Sequence, residues 1–403
     1  MIPVRRGLVL ALALGLAACG RPSGPSRVSG EPTLRVALSP STARTVIGGQ
    51  AATVATNSGA PAFRFAPGEQ VTLSAVGALV QVSGAASGAL ERVHFASLGS
   101  GRHVTVDGRP YRGTVEVWAV GGALRVVNVV RVEDYLLGVV SAEMGRRTAQ
   151  ERTALEAQAI VSRTYALRNA GRFGSDGYDL QAGVSDQVYA GVAREDPEAT
   201  AAVRATAGRV LTYGGQLITP FFHSTCGGRT ASPVEAFRGV SDAPYLRPVS
   251  DARGSGAWCD ISPRYQWTVA WDAAQLRAIL ARTVPQVLGI EASAVRDVRG
   301  AYVRRQGPSG RALEVRIRVA QGEIPVFGPD IRAVLARPEG GVLGGSLIRL
   351  SDTSGGGLVA EGFGWGHGVG MCQWGAIGRA RAGQDVRTVL RTYFPGVDVA
   401  RWY

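Results

Sequence analysis

Six glycines fall in the fourteen residues from Gly362 to Gly375, GFGWGHGVGMCQWG, around one histidine and two tryptophans. Glycine at 364, 366, 368 and 370 removes the side chains a core would grip and lets bare backbone approach a ligand closely. Trp365 and Trp374, beside His367 and Gln373, would suit a polar ligand with flat faces, such as a sugar ring. The structural alternative is a glycine-kinked strand pair packed by its tryptophans, in which His367 only pins the loop.

Four cysteines offer a second kind of chemistry. Cys19 closes the string Leu16-Ala17-Ala18-Cys19, which fits the lipobox of bacterial lipoproteins and assigns Cys19 to lipid. Arg5 and Arg6 supply the positive n-region and Leu8 to Leu16 an apolar h-region too short to span a bilayer. Export follows, and with it an oxidising compartment in which Cys226, Cys259 and Cys372 make an odd count. We expect Cys226 and Cys259 to pair as a disulfide, closing a loop of about thirty residues, and Cys372 to stay free. The rival is zinc, because His223 and Cys226 have an H-x-x-C spacing with Cys259 as a third ligand. No fourth ligand is evident, so no metal or other cofactor is assigned.

All 44 basic residues are arginine, which excludes lysine Schiff-base and P-loop chemistry outright. The formal charge of +13, or +11 without Arg5 and Arg6, is strongly basic for an exported protein. Outside the cytoplasm nucleic acid is not the expected partner. Anionic lipid head groups and carboxylate-bearing peptidoglycan are the available polyanions.

The elements that would position these residues follow from periodicity. From Thr33 to about Val130, short β-branched runs are broken by turn pairs, with Asp107-Gly108 and Gly121-Gly122 as hairpin signals. Around Val132 the period changes. EDYLLGVVSAEM predicts a helix with Tyr135, Leu136, Val139 and Val140 on its apolar face and Glu143 at its end. Thr148 and Glu151 form a capping box for a second helix that runs to about Asn169.

The strings VNVVRVEDYLLGVVSAEM, EAQAIVSRTYALR, SDQVYAG, FFHSTCGGRT and GWGHGVGMCQWGA, in that order, resemble the stage II sporulation protein D and amidase-enhancer family, SpoIID/LytB. SGRALEVRI, DIRAVL and the terminal VLRTYFPGVDV add smaller matches, and the resemblance runs from about residue 33 to the C-terminus. Three details depart from the usual pattern. Gly145 stands where proline is usual, the stretch to Arg163 is about two residues longer, and Cys372 replaces a serine.

The resemblance implies an exported protein of cell-wall remodelling, either a lytic transglycosylase acting on peptide-free glycan strands or an enhancer of a wall amidase. It places the catalytic glutamate at Glu143 and a helix arginine at Arg163, which would orient Glu143 or contact the glycan. Gln187 and Tyr189 would supply amide hydrogen bonds and ring stacking. His223 and Ser224 of FFHST would line the cleft with Trp365, His367 and Gln373. In such a site one carboxyl, held protonated by a desolvated setting, serves as acid and then base while the sugar's own 6-hydroxyl closes an anhydro ring.

The expected fold is α/β of the α+β type. It has a signal at 1–18, a lipidated cysteine and flexible tether at 19–32, and a β-rich region at 33–127. A helical, cleft-forming core follows at 128–263, then an α/β insert at 264–340 and the glycine-rich segment with a closing helix at 341–403. The expected location is the cell envelope, lipid-anchored to a membrane, the outer one if the cell has two.

Overall fold

The computed structural model describes residues 29–183 and 185–403, so the signal segment and Cys19 lie outside the described residues. Strands and helices mix as an α+β fold. The β-rich region is two facing sheets. One orders Leu180–Gln181, Thr33–Thr42, Ala123–Arg131, Thr114–Val120, Arg92–Ser97, Thr53–Asn57 and Ala60–Phe65. The other orders Arg109–Tyr111, Val104–Val106, Arg44–Gly49, Gln70–Val76, Leu79–Gly84 and Gly88–Leu90.

Alternation makes the core between them: Val115 and Val117 bury one face of their strand, and Val71, Leu73, Val80 and Val82 answer from the other sheet. Both hairpin signals become two-residue turns. Asp107 and Gly108 have φ of 48° and 76°, and Gly121 and Gly122 have 60° and 78°, the left-handed pair a type I′ turn demands.

Helix α1 spans Val132–Met144 and α2 spans Arg152–Asn169. The capping box from Thr148 to Glu151 forms as the sequence predicts. Burial on α1 goes well beyond one stripe. Leu137, Gly138 and Ser141 are buried as well, because α1 has protein on several sides. Gly138 packs so closely that an added Cβ would sit 2.9 Å from the Gly191 carbonyl and 3.0 Å from the Tyr189 ring. At the end of α1, Gly145 stops the helix with φ 66°.

A second hydrophobic core lies between Trp271 and Ala360. Helix Ala273–Leu288 covers it, with the sheets Gly300–Gln306, Ala312–Val319, Gly322–Phe327 and Gln266–Trp271, Leu358–Phe363, Leu347–Asp352. This core includes Leu343, Ile348, Leu358 and Ala360, beyond the expected boundary at 340. Its strand Leu358–Phe363 runs directly into the glycine-rich loop. Among the described residues no helix is long and apolar enough to cross a membrane.

Candidate active site

Glu143 stands at the C-terminal end of α1 between two cavities, of about 310 Å³ and 280 Å³, that it lines in common. On one side Tyr165, Val188, Phe221, Phe222, Phe237 and His367 make a largely aromatic wall. On the other lie Arg147, Ser224, Arg264, Gln373 and Trp374. The pair forms a groove, apolar at one end and polar at the other, with one carboxyl at its middle.

The surroundings of that carboxyl are spare. Glu143 Oε1 accepts one hydrogen bond, 2.8 Å from the Val188 backbone N–H, and burial raises its pKa against the lowering effect of that bond. Glu143 makes no ion pair among the described residues. Asp186, the other carboxylate on the groove, is engaged by Arg172 at 2.7 Å, by the Tyr165 hydroxyl at 2.8 Å and by the Gln181 N–H. The groove therefore offers one carboxyl disposed to hold a proton and no second free one.

His367 is neutral, its pKa pushed down to about 4 by burial. The Val369 N–H donates to its Nδ1, so the proton sits on Nε2 and is donated to the Phe222 carbonyl at 2.8 Å. The ring pins the glycine loop to the aromatic wall while presenting a face to the groove. At the polar end the Arg147 guanidinium lies 4.9 Å from the Trp374 ring centre, and Arg264 lies 4.7 Å from that of Trp365. Ser224 lines this end, as does Gln373, whose amide donates to Gln158 at 3.3 Å.

Several expected groove residues are held elsewhere. Arg163 is fully buried and forks onto Glu133 at 2.8 and 2.7 Å, with further bonds to the Arg209 and Val203 carbonyls. It locks the start of α1 to α2 and does not reach the groove. Burial alone would raise the Glu133 carboxyl, but Arg163, the Tyr403 hydroxyl and the Gly208 N–H overcome it and hold the group low.

Gln187 and Tyr189 are buried against α1. The Tyr135 hydroxyl donates to Gln187 and the Tyr189 hydroxyl donates to Asn128, so neither side chain faces a ligand. In SDQVYAG the alternate residues Asp186 and Val188 line the groove, and the contribution to Glu143 comes from backbone. His223 is buried with Nδ1 donating to the Val369 carbonyl, and Trp365 packs behind the groove between Arg264 and Arg337.

The glycine-rich loop is built for protein contact. Gly364, Gly366, Gly368 and Gly370 all have left-handed φ, between 70° and 110°. A Cβ at Gly370 would meet the Phe221 carbonyl at 2.1 Å, and one at Gly368 the Arg311 guanidinium at 2.5 Å. Paired backbone bonds between Thr225 and Trp365 tie the loop to the FFHST segment. Close approach is real, but the partner is this chain's own backbone rather than a ligand.

Sequence reasoning missed Arg147, Arg264 and the three phenylalanines as groove residues. Trp374 lines the groove as the glycine-rich string suggests, whereas nothing in the sequence marks Arg264, which enters from another segment.

The three cysteines come together. Cys226, Cys259 and Cys372 are all buried thiols, with Cys226 and Cys259 sulfurs 3.4 Å apart and Cys372 in the same cluster rather than apart from it. His223 takes no part, so the zinc set read from H-x-x-C spacing is not the one the fold assembles.

A family model described as Stage II sporulation protein matches residues 120–213, which hold Glu143 and Val188, and one described as a domain of unknown function matches 260–370. The chain is 31% identical to an uncharacterized protein of Brachyspira hyodysenteriae (strain ATCC 49526 / WA1), over 73% of each chain. It is 29% identical to the Stage II sporulation protein D of Bacillus subtilis (strain 168), over 68% of this chain and 76% of that one. To the Amidase enhancer of the same organism it is 26% identical over 77% of this chain, spanning about half of that relative (47%). Motif order, the placement of Glu143 and these relatives agree: the chain belongs to the SpoIID/LytB family.

Proposed function

We propose that this protein remodels the cell wall as a lytic transglycosylase, cleaving the bond between muramic acid and glucosamine in peptide-free glycan strands. The observation that carries the reading is Glu143, a desolvated carboxyl in mid-groove with one backbone hydrogen bond and no cation. Protonated, it gives its proton to the glycosidic oxygen as that bond breaks. The sugar's 6-hydroxyl then bonds to the anomeric carbon and returns its proton to the carboxylate, so no water is consumed and one carboxyl suffices. Hydrolysis with a separate nucleophile or base would call for a second free carboxylate, and Asp186 is already paired. The aromatic wall suits sugar faces, and Arg147 and Arg264 suit the acidic substituents of muramic acid.

A second reading rests on the relative named Amidase enhancer: the groove binds glycan without cutting it and the protein stimulates a wall amidase. One experiment separates the two. Purified wild type, incubated with peptide-free glycan strands, should yield anhydro-muramic ends by mass spectrometry. Glu143→Gln should yield them about two to four orders of magnitude more slowly while still binding glycan. Equal rates remove Glu143 as the acid. No anhydro product from either protein, with both stimulating an added amidase alike, establishes the enhancer.

The site of action would be the extracytoplasmic envelope, with lipid on Cys19 anchoring the protein to a membrane. Two or more acyl chains hold a protein stably, so Cys19→Ser should move it to the soluble fraction. Retention on membranes after a high-salt wash would refute the anchor.

A further inference from the structure

Behind the polar end of the groove, four side chains from four separate stretches of chain converge. Cys226 follows the strand Phe222–His223, and Asp251 follows the backbone bridge between Arg229 and Ser250. Cys259 follows the small hairpin Ala252–Arg253 and Gly256–Ala257, and Cys372 caps the helix Gln373–Arg381. All four are buried, and their three sulfurs and one carboxylate oxygen lie within 4.8 Å of one another.

The arrangement is specific in its details. The Cys226 sulfur lies 3.4 Å from that of Cys259 and 3.3 Å from Asp251 Oδ2. A tetrahedral zinc with bonds of about 2.3 Å sets sulfurs about 3.8 Å apart, so small movements suffice. Asp251 is held in position from behind. Its Oδ1 accepts from Arg379 at 3.0 Å and from the Tyr393 hydroxyl at 2.7 Å, which leaves Oδ2 to face the sulfurs. Such outer partners are what orient a carboxylate ligand.

Backbone donors serve the sulfurs too. The N–H of Cys226 and of Gly375 point at the Cys372 sulfur, at 3.2 and 3.3 Å. Gly227 and Gly228, with φ of 75° and 98°, turn the chain directly after Cys226.

We propose that Cys226, Asp251, Cys259 and Cys372 bind one zinc ion. With the ion bound, three thiolates and a carboxylate bring four negative charges that zinc and Arg379 offset to a single net negative charge, which the Tyr393 hydroxyl and the backbone N–H groups help to hold. Thiolate donors select zinc over the oxygen-loving magnesium and calcium. Four protein ligands close the coordination shell, so the ion is structural and takes no part in glycan chemistry. Its mechanical effect is to join the FFHST segment, the 250–260 stretch and the start of the helix that carries Gln373 and Trp374. Two of these pieces line the polar end of the groove directly, through Ser224, Gln373 and Trp374, and the third leads into Pro263 and Arg264, which line it as well.

Elemental analysis of the full chain, purified without chelator, tests this. One zinc per chain is expected after gel filtration, with all three thiols resisting alkylation until the metal is removed. Apoprotein titrated with cobalt(II) should show thiolate charge-transfer and tetrahedral ligand-field bands. In Tyr393→Phe, which keeps the packing but removes a hydrogen bond that orients Asp251, affinity should fall about 10- to 100-fold, and in Asp251→Asn, which removes a charged ligand, by more. Cys372→Ser should lose the three-sulfur spectrum. A Cys226–Cys259 disulfide in metal-free native protein, with Cys372 alkylated, overturns the proposal. So does folded apoprotein that binds neither zinc nor cobalt. The outcome is independent of Glu143, because the ion supplies no step of the cleavage.

Discussion

Glu143 illustrates what a single residue costs its fold. Burial raises its pKa above the ordinary glutamate value of about 4.3, and among the described residues the one direct compensation is the Val188 N–H. A group whose folded pKa exceeds its unfolded one contributes stability fully below the unfolded value and loses it as pH rises through the folded value. Glutamine does not ionise and can still accept from Val188. Glu143→Gln should therefore unfold at a higher temperature than wild type at about pH 8, with the gap closing towards about pH 4. Thermal melts across that range check it, and a gap independent of pH would show that the carboxyl is not desolvated in solution. Cleavage by wild type should fall over the same interval, since the acid form is the one that protonates the leaving oxygen.

Elements built from neighbouring residues were legible in the sequence, and those requiring parity or distant partners were not. The type I′ turns at Asp107-Gly108 and Gly121-Gly122, the extent of α1 and α2 and the Thr148 capping box are all local, and all form. Glu143 at the end of α1 was legible because a helix terminus fixes where a side chain emerges. SDQVYAG failed by one residue of phase. In an extended segment successive side chains take opposite faces, so reading Gln187 and Tyr189 as outward reversed the whole segment. Arg163 failed for another reason. Its partner Glu133 lies thirty residues away on α1, and nothing local separates a buried paired arginine from one that meets substrate. The cysteine cluster joins positions up to 146 residues apart, and its oxygen donor, Asp251, stands in an ordinary turn-like string.

At the scale of the molecule, the second core is coupled to the groove through one buried arginine. Arg311 follows the turn before strand Ala312–Val319, whose apolar face builds that core, and its guanidinium reaches out to the Arg229 carbonyl at 2.9 Å and the Cys226 carbonyl at 2.7 Å. Gly368 of the glycine-rich loop lies directly on the same guanidinium. Arg311 makes no ion pair among the described residues, burial lowers its pKa, and the two carbonyls are the acceptors that its buried guanidinium meets. Arg311→Met keeps much of the volume but strands the buried Cys226 carbonyl and turns the half-buried Arg229 carbonyl over to water. The buried one costs about 1–3 kcal/mol, partly offset by relief of the buried charge. The loss should be local to the junction. Hydrogen exchange should quicken across 222–231 and 362–372, while the paired strands between 33 and 131 keep their protection. Glycan affinity should fall with it, since Ser224 rides on the first segment and Gln373 directly follows the second. Uniform loss of protection through the whole chain would mean that the two cores unfold as one unit, and unchanged exchange at the junction would mean that Arg311 does not couple them.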